Sequence, residues 1–156
     1  MTHRPVLAAL ACALWLACTP TIAQTPAPCV VPDDYEPARL YGLWQLTLWP
    51  EGGSHERPSS RGAVLFERHP EYPGSVRGRL KRSGPGNDRE AIVSGDVTDG
   101  EFNLDESANG VDLDAVWVGV PQACGNELQG TRRPAEGRPS DEAALQFLLK
   151  KASGWN

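Results

Sequence analysis

Short segments in which apolar and polar residues alternate, separated by turn-forming residues, constrain the fold of this chain more than any other feature. In VRGRLKR, at residues 76–82, Val76, Gly78 and Leu80 share one face and basic side chains share the other. Side chains of a β-strand alternate between its two faces, so a period of two indicates a strand with one buried side. The same period recurs in six further segments, residues 43–48, 63–68, 91–97, 102–104, 111–120 and 127–133.

Tight turns join these segments. Asp99-Gly100 and Asn109-Gly110 are typical of two-residue hairpins, whose central residues adopt positive φ. Consecutive strands with short connections form an antiparallel meander, and closing such a sheet removes its exposed edges. We therefore predict a mostly β fold, an up-and-down barrel of seven or eight strands over residues 41–133. An eighth strand would come from the leader or from the 111–120 run bending in two.

The C-terminal segment predicts a helix packed on this barrel. Residues 134–139 (PAEGRP) form a predicted linker, and Ser140 is a typical N-cap followed by two acidic residues. Apolar residues then follow the helical spacing i, i+3, i+4 and i+7, at Leu145, Leu148, Leu149 and Ala152. We expect an amphipathic α-helix at residues 140–153.

The N-terminal segment predicts export. Residues 1–23 combine a basic start, an apolar run too short to span a bilayer and a small-x-small end, the pattern of a cleaved signal peptide. A competing interpretation is a lipobox ending at Cys18, which would anchor the protein through a lipid. Residues 24–40 follow as a leader with a short helical turn, and no later segment is long enough for a transmembrane helix. We expect a periplasmic or secreted protein, with a membrane-anchored lipoprotein as the alternative.

Removing the predicted signal changes the charge and the cysteine count. Only Arg4 is lost among the charged residues, which leaves 14 Lys and Arg against 20 Asp and Glu, a net charge of −6. Nucleic-acid binding depends on neutralising phosphates, so this balance argues against it. Cys29 and Cys124 are the cysteines that remain. In an oxidising compartment they predict a disulfide, the alternative being two unpaired buried thiols.

The entry into the first predicted strand carries a spaced motif. In YEPARLYGLW, at residues 35–44, an aromatic and a basic residue precede a glycine that lies two positions before a tryptophan. This motif resembles the first motif of the lipocalin and wider calycin group of small secreted β-barrels. The short distance from Trp44 to the last predicted strand is nearer to that of avidin-like or other compact barrels.

The resemblance implies a closed barrel floor. Gly42 would let the chain pass under the barrel, and the indole of Trp44 would fill its end. In the group, an arginine of the last strand lies across this ring, and the candidates here are Arg132 and Arg133. A guanidinium over an indole face stabilises by about 1 kcal/mol.

Two functional hypotheses follow. The first is an exported binding protein whose lumen holds a small, mostly apolar ligand, because a barrel of about eight strands has room for its own side chains or one small ligand. The second is a periplasmic protein–protein module, such as an inhibitor or immunity protein, because rigid loops bind at low entropic cost. The predicted inward, ligand-contacting residues, each equally explained as plain core, are Trp44, Leu46, Phe66, Phe102 and Trp117.

The outward face of the third strand is basic. Arg77, Arg79 and Lys81 alternate there, close to an acidic hairpin. One interpretation is cross-strand pairing with acidic neighbours, and the other is a docking face for anionic envelope material or an acidic protein. Trp49 shares a face with polar residues of the first strand, so we predict an exposed tryptophan at the rim, available for contact.

Little in the sequence predicts catalysis. The mature chain has two histidines, His55 and His69, both in Pro- and Gly-rich loops without the context of a nucleophile–base pair. Zinc needs three or four clustered nitrogen and sulfur ligands, and the thiols are assigned to the disulfide. The segment that begins at Asp105 starts like a calcium loop but lacks the glutamate of its last position. We expect neither enzymatic activity nor a metal or other cofactor.

Overall fold

The computed structural model describes residues 29–84, 86–137 and 143–154. They form a closed antiparallel barrel in which each strand pairs with the next and the last pairs with the first. The predicted mostly β meander that closes on itself is confirmed. The eight strands are β1 (Gly42–Pro50), β2 (Ser60–Arg68), β3 (Val76–Arg82), β4 (Arg89–Thr98), β5 (Glu101–Ser107), β6 (Ala115–Gln122), β7 (Glu127–Pro134) and β8 (Leu145–Lys151).

The alternation seen in the sequence places the core inside the barrel. In β3, residues alternate strictly between buried and exposed from Val76 to Arg82, as the pattern predicts. The fully buried side chains are mostly large and apolar, and each strand contributes at least one of them. The lumen is therefore the hydrophobic core of the protein.

The C-terminal helix prediction is wrong, because the segment forms β8. Leu145, Phe147 and Leu149 lie at every second position and pack in the core, the last two fully buried, although Leu148 between them is also buried. β8 pairs with β7 on one side and with β1 on the other, which closes the barrel. These hydrogen bonds outweigh a local helical preference, which is weak in a segment this short. The predicted cap, Ser140, lies outside the described residues.

The predicted hairpins differ in outcome. Asp99 and Gly100 have φ of 53° and 76°, as expected for a tight turn between β4 and β5. The segment after Asn109-Gly110 does not enter a strand directly. Val111 and Leu113 are exposed in the loop, and β6 begins only at Ala115. The 111–120 run therefore supplies one strand, and the eighth strand is β8.

The leader closes one end of the barrel, called the floor here. It includes a short 3-10 turn, Pro37–Arg39, where a helical turn was predicted. The backbone N–H of Tyr35 donates to Val97 O at 3.1 Å, and that of Gly100 donates to Asp33 O at 2.7 Å. The predicted disulfide between Cys29 and Cys124 is present and ties the leader to the connection between β6 and β7.

The predicted signal peptide, residues 1–23, and Cys18 of the alternative lipobox lie outside the described residues. In the described part of the chain, no helix has the length and apolar character needed to cross a bilayer.

Candidate functional site

The five side chains predicted to contact a ligand all point into the lumen and form its packing. Trp44, Leu46, Phe66, Phe102 and Trp117 are each at most 1% exposed. Ring contacts link the aromatic side chains to one another or to Phe147 of β8, edge-on for Trp44–Phe66 and Phe102–Phe147 and tilted for Trp117–Phe147. The ring centroids are 6.3 Å apart for Trp44–Phe66, 6.0 Å for Phe102–Phe147 and 5.1 Å for Trp117–Phe147. Aromatic contacts at these distances are favourable, and the rings occupy the space that a lumen ligand would need.

Two inward-facing glycines show how tightly the lumen is filled. A Cβ on Gly119 would lie 2.8 Å from Phe147 Cζ, and one on Gly78 would lie 2.9 Å from Phe66 Cδ1. Neither position has room for a side chain, because a phenyl ring and a backbone carbonyl of the neighbouring strand already fill the space. The mid-barrel cross-section is therefore close-packed.

Trp44 lies at the floor, as the family resemblance implies. The cation near its ring, however, is a lysine of β8 and not one of the expected arginines of β7. Trp44 Nε1 donates to Leu40 O at 2.7 Å, and Gly42 enters β1 with φ of 107°. The cation near its ring is Lys151 of β8, with Nζ 5.7 Å from the centroid. The expected Arg132 lies instead over Trp117, and Arg133 is exposed on the outer wall.

The surroundings at the floor shift the pKa values of two side chains, Lys151 and Tyr35. Desolvation by burial, reinforced by the nearby charge of Arg39, lowers the pKa of Lys151. Its Nζ donates to Arg39 O at 2.6 Å. Burial raises the pKa of Tyr35, partly offset by the charge of Arg39, whose guanidinium lies 4.9 Å from the ring centroid. The Tyr35 hydroxyl is buried without a hydrogen-bond partner among the described residues.

The opposite end of the lumen, called the mouth, contains a buried ion cluster. Glu106 Oε2 accepts from Arg132 Nε at 2.7 Å and from Trp117 Nε1 at 2.9 Å, while Oε1 accepts from Arg132 Nη2 at 2.9 Å. Arg82 Nη2 lies 4.0 Å from Glu106 Oε1. All three charged side chains are more than 90% buried. The two-pronged contact of Arg132 is the strong geometry for this ion pair.

Sequence reasoning missed this mouth cluster, although the strand period contained the signal. Arg82 has the same parity as Val76 and Leu80 in β3, and Glu106 has the same parity as Phe102 in β5. Continuing the alternation to the strand ends would have placed both charges inward.

The outward basic residues of β3 fall into two groups. Lys81 Nζ is 3.2 Å from Glu90 and 3.5 Å from Asp88, so this side chain is paired as one interpretation predicted. Those two carboxylates raise its pKa, chiefly through hydrogen bonds. Arg77 and Arg79 are exposed, and neither forms an ion pair or a side-chain hydrogen bond with the residues that the structure describes.

Two adjoining cavities flank these arginines on the outer wall of β2 to β5. One, of about 280 Å³, is lined by Glu67, Arg77, Gly78, Arg79 and Ile92. The other, of about 320 Å³, also includes Arg77 and Ile92, and extends from the turn after β2 to Gly110 in the loop after β5. We call the two together the arginine groove. Arg77 and Ile92 line both of its parts.

The turn after β2 adds aromatic and imidazole groups to this groove. The rings of His69 and Tyr72 are 4.7 Å apart, and Tyr72 is 61% exposed. His69 Nδ1 accepts from the backbone N–H groups of Glu71 and Tyr72 at 3.1 and 3.0 Å. The neutral ring therefore carries its proton on Nε2. Sequence reasoning treated His69 only as a loop residue and did not single out Tyr72 or Ile92.

Trp49 is not the exposed rim residue that the sequence predicted. It does point away from the lumen, yet only 6% of it is exposed. Its ring makes an edge contact with His55 at 5.8 Å, so the loop between β1 and β2 folds over it. The alternation of side chains along β1 correctly placed Trp49 on the outer face of the barrel. It could not show that a loop would cover this residue.

In the described ranges, no group of three or more His, Cys, Asp or Glu side chains is placed to hold a metal ion. Asn109 lies in the segment that starts like a calcium loop. Its Oδ1 accepts hydrogen bonds from the backbone N–H groups of Val111 and Asp112, both at 2.9 Å, and so stabilises the loop between β5 and β6.

The closed eight-stranded antiparallel barrel is compatible with a lipocalin-like barrel. No protein-family model matches this chain, and no curated protein is significantly similar to it in sequence.

Proposed function

We propose that this chain is an exported protein–protein interaction module, of the inhibitor or immunity-protein kind, that binds its partner through the outer wall of the barrel. The observation that carries the proposal is the filled lumen, where aromatic rings in mutual contact occupy the space of a ligand. A rigid closed barrel orders little on binding, so a contact on its surface loses little conformational entropy.

The disulfide supports action outside the cytoplasm, because such bonds persist in oxidising compartments. Export by a signal peptide over residues 1–23, lipid anchoring at Cys18 and descent from the lipocalin and calycin group remain predictions from sequence.

A small apolar ligand is the second candidate, and a cavity at the mouth favours it. This cavity, of about 190 Å³, is lined by Ser59, Ser60, Arg82, Ser83, Gly84, Ala143 and Leu145. Typical small-molecule pockets measure about 300–1,000 Å³, which places this candidate behind the first.

Native mass spectrometry of the gently purified full chain tests both candidates. We expect the chain itself to have its apo mass and to form a complex of fixed stoichiometry with one other protein. Purification at high salt is the matched control, in which we expect less of the complex, because salt weakens contacts between exposed charges. A small-molecule adduct, with tryptophan quenching by added fatty acid, would contradict the proposal and support the second candidate.

A further inference from the structure

We propose that the arginine groove binds an extended protein segment that carries carboxylates at two alternate residues. This inference rests on the proposed function, because it names the kind of partner segment that the outer wall recognises.

Barrel closure limits how such a segment can bind. β8 pairs with β1, so each strand is hydrogen-bonded on both sides. A partner strand that adds to a sheet needs an unpaired edge, and the eight described strands offer none. Recognition of an extended segment on this wall must therefore use outward side chains.

The spacing of Arg77 and Arg79 defines the charge pattern. They are two residues apart on one strand and point outward. A strand rises about 3.3 Å per residue, so their Cα atoms are roughly 6.6 Å apart. Alternate residues of an extended segment have the same spacing and the same direction. An acid-x-acid sequence therefore aligns one carboxylate with each guanidinium.

The neighbours of the outward cations of β3 leave two of them for a partner, Arg79 and also Arg77, which has Glu67 and Ser94 beside it in register. Lys81, the next outward cation on β3, is already paired with Asp88 and Glu90. Arg79 is flanked in register by Leu65 and Ile92, which are partly buried aliphatic side chains. The partly buried side chain of Ile92 lines both cavities and can contact the methylene groups of the two acidic side chains.

The chemistry of the groove favours a protein segment over a membrane surface. Acidic side chains also line the groove, at Glu67, Glu71 and Asp105. Their negative charges offset those of the arginines at a distance, so the positive potential is confined to the groove itself. Binding to anionic lipid generally uses clusters of about four to eight basic residues, more than the groove presents. The excess of acids over bases in the chain repels an anionic bilayer at long range.

Titration of the ¹⁵N-labelled protein with two synthetic heptapeptides tests the inference. One peptide has the sequence Ser-Thr-Glu-Val-Glu-Thr-Ser, and its isomer Ser-Thr-Val-Glu-Glu-Thr-Ser places the acids on adjacent residues. Adjacent side chains of an extended segment point in opposite directions, so the isomer presents only one acid to the wall. We expect the first peptide to shift the amide signals of Arg77, Arg79 and Ile92 at roughly millimolar concentration, and the isomer to bind more weakly.

Variants identify the groups responsible. Arg77→Ala and Arg79→Ala should each weaken binding of the first peptide about threefold to fivefold, the upper part of the range for exposed ion pairs. Arg133→Ala removes an exposed arginine from β7 and should change the affinity less than about twofold. Arg77→Lys keeps the charge and should lose part of the affinity, because an ammonium lacks the planar two-pronged geometry. The spectrum of each variant reports its folding.

Three outcomes would overturn the inference. They are no shifts at the groove, equal affinity for the two peptides, and sedimentation with phosphatidylglycerol vesicles that depends on Arg77 and Arg79. A protein partner that is captured equally by wild type and by the Arg77→Ala/Arg79→Ala variant would also overturn it while leaving the proposed function intact. Failure of the wild type to form any protein complex would count against the proposed function itself.

Discussion

The two ends of the barrel are closed by different chemistry. At the floor, the leader is held by the Cys29–Cys124 disulfide, and apolar side chains surround the indole of Trp44. At the mouth, Arg82, Glu106 and Arg132 form a buried ion cluster. The floor is stabilised by burial of apolar surface and by a covalent constraint on the unfolded chain. The cluster instead loses hydration that its contacts must replace.

This difference determines how each end responds to damage. An apolar floor loses stability in proportion to the contacts removed. A buried ion cluster contributes little net stability when complete, but becomes strongly unfavourable when one charge is left without its partner. The mouth is therefore sensitive to chemical changes that keep its shape, whereas the floor is sensitive to changes in volume and connectivity.

The largest expected effect comes from removing the floor disulfide. The bond joins residues separated by 95 positions, so its loss in a Cys29→Ala/Cys124→Ala variant should cost about 4–5 kcal/mol of unfolding free energy on the chain-entropy model. Urea unfolding of the oxidised wild type and the variant measures this difference. The wild type after thiol reduction is the control and should match the variant. A cost below about 1 kcal/mol would mean that the disulfide does not constrain the unfolded chain.

The next effect is volume loss at the floor. Trp44→Ala removes a fully buried indole and its hydrogen bond to Leu40 O, and should cost about 3–5 kcal/mol. Chemical denaturation followed by far-ultraviolet circular dichroism measures it. Trp44→Phe keeps most of the volume, so it should cost clearly less. Equal losses for the two variants would place the stabilisation in the hydrogen bond rather than in packing.

At the mouth, a nearly isosteric change should be costly. Glu106→Gln keeps the size of the side chain but removes the charge that Arg132 contacts, and should cost about 3 kcal/mol. Glu101→Gln on the exposed face of the same strand is the matched control and should stay within about 0.5 kcal/mol of wild type. Similar urea midpoints for both variants would show that the buried charge is not needed, and the contrast between the two ends would fail.

The smallest of these effects concerns the second tryptophan of β1. Trp49 lies on the outer side toward the mouth end, under the loop that carries His55. Trp49→Ala should cost about 2 kcal/mol, less than Trp44→Ala, because the loop can settle into the vacated space. The thermal midpoints of the two variants allow the comparison. A larger loss for Trp49→Ala would mean that the outer loop, rather than the floor, is the more important packing unit.

Much of the fold could be predicted because its signals are local. The alternation in residues 76–82 and the Asp99-Gly100 turn each depend on a few neighbouring residues, and both were found as expected. The pairing of Cys29 with Cys124 followed from the small number of cysteines. The candidate site was less predictable. Arg77 and Arg79 were identified as outward cations, but the pairing of Lys81 with Asp88 and Glu90 depends on the register in which β4 lies beside β3.

Sequence alone determined which residues face inward along most strands, because strand geometry imposes a period of two wherever the chain is extended. Tertiary structure decided the secondary structure of residues 145–151, whose apolar residues fit both a helical and a strand period. Only pairing with β7 and β1 selects the strand. It also decided the cation partner of Trp44 and assembled the mouth cluster. These contacts join residues far apart in the chain, and their distances depend on how the barrel closes.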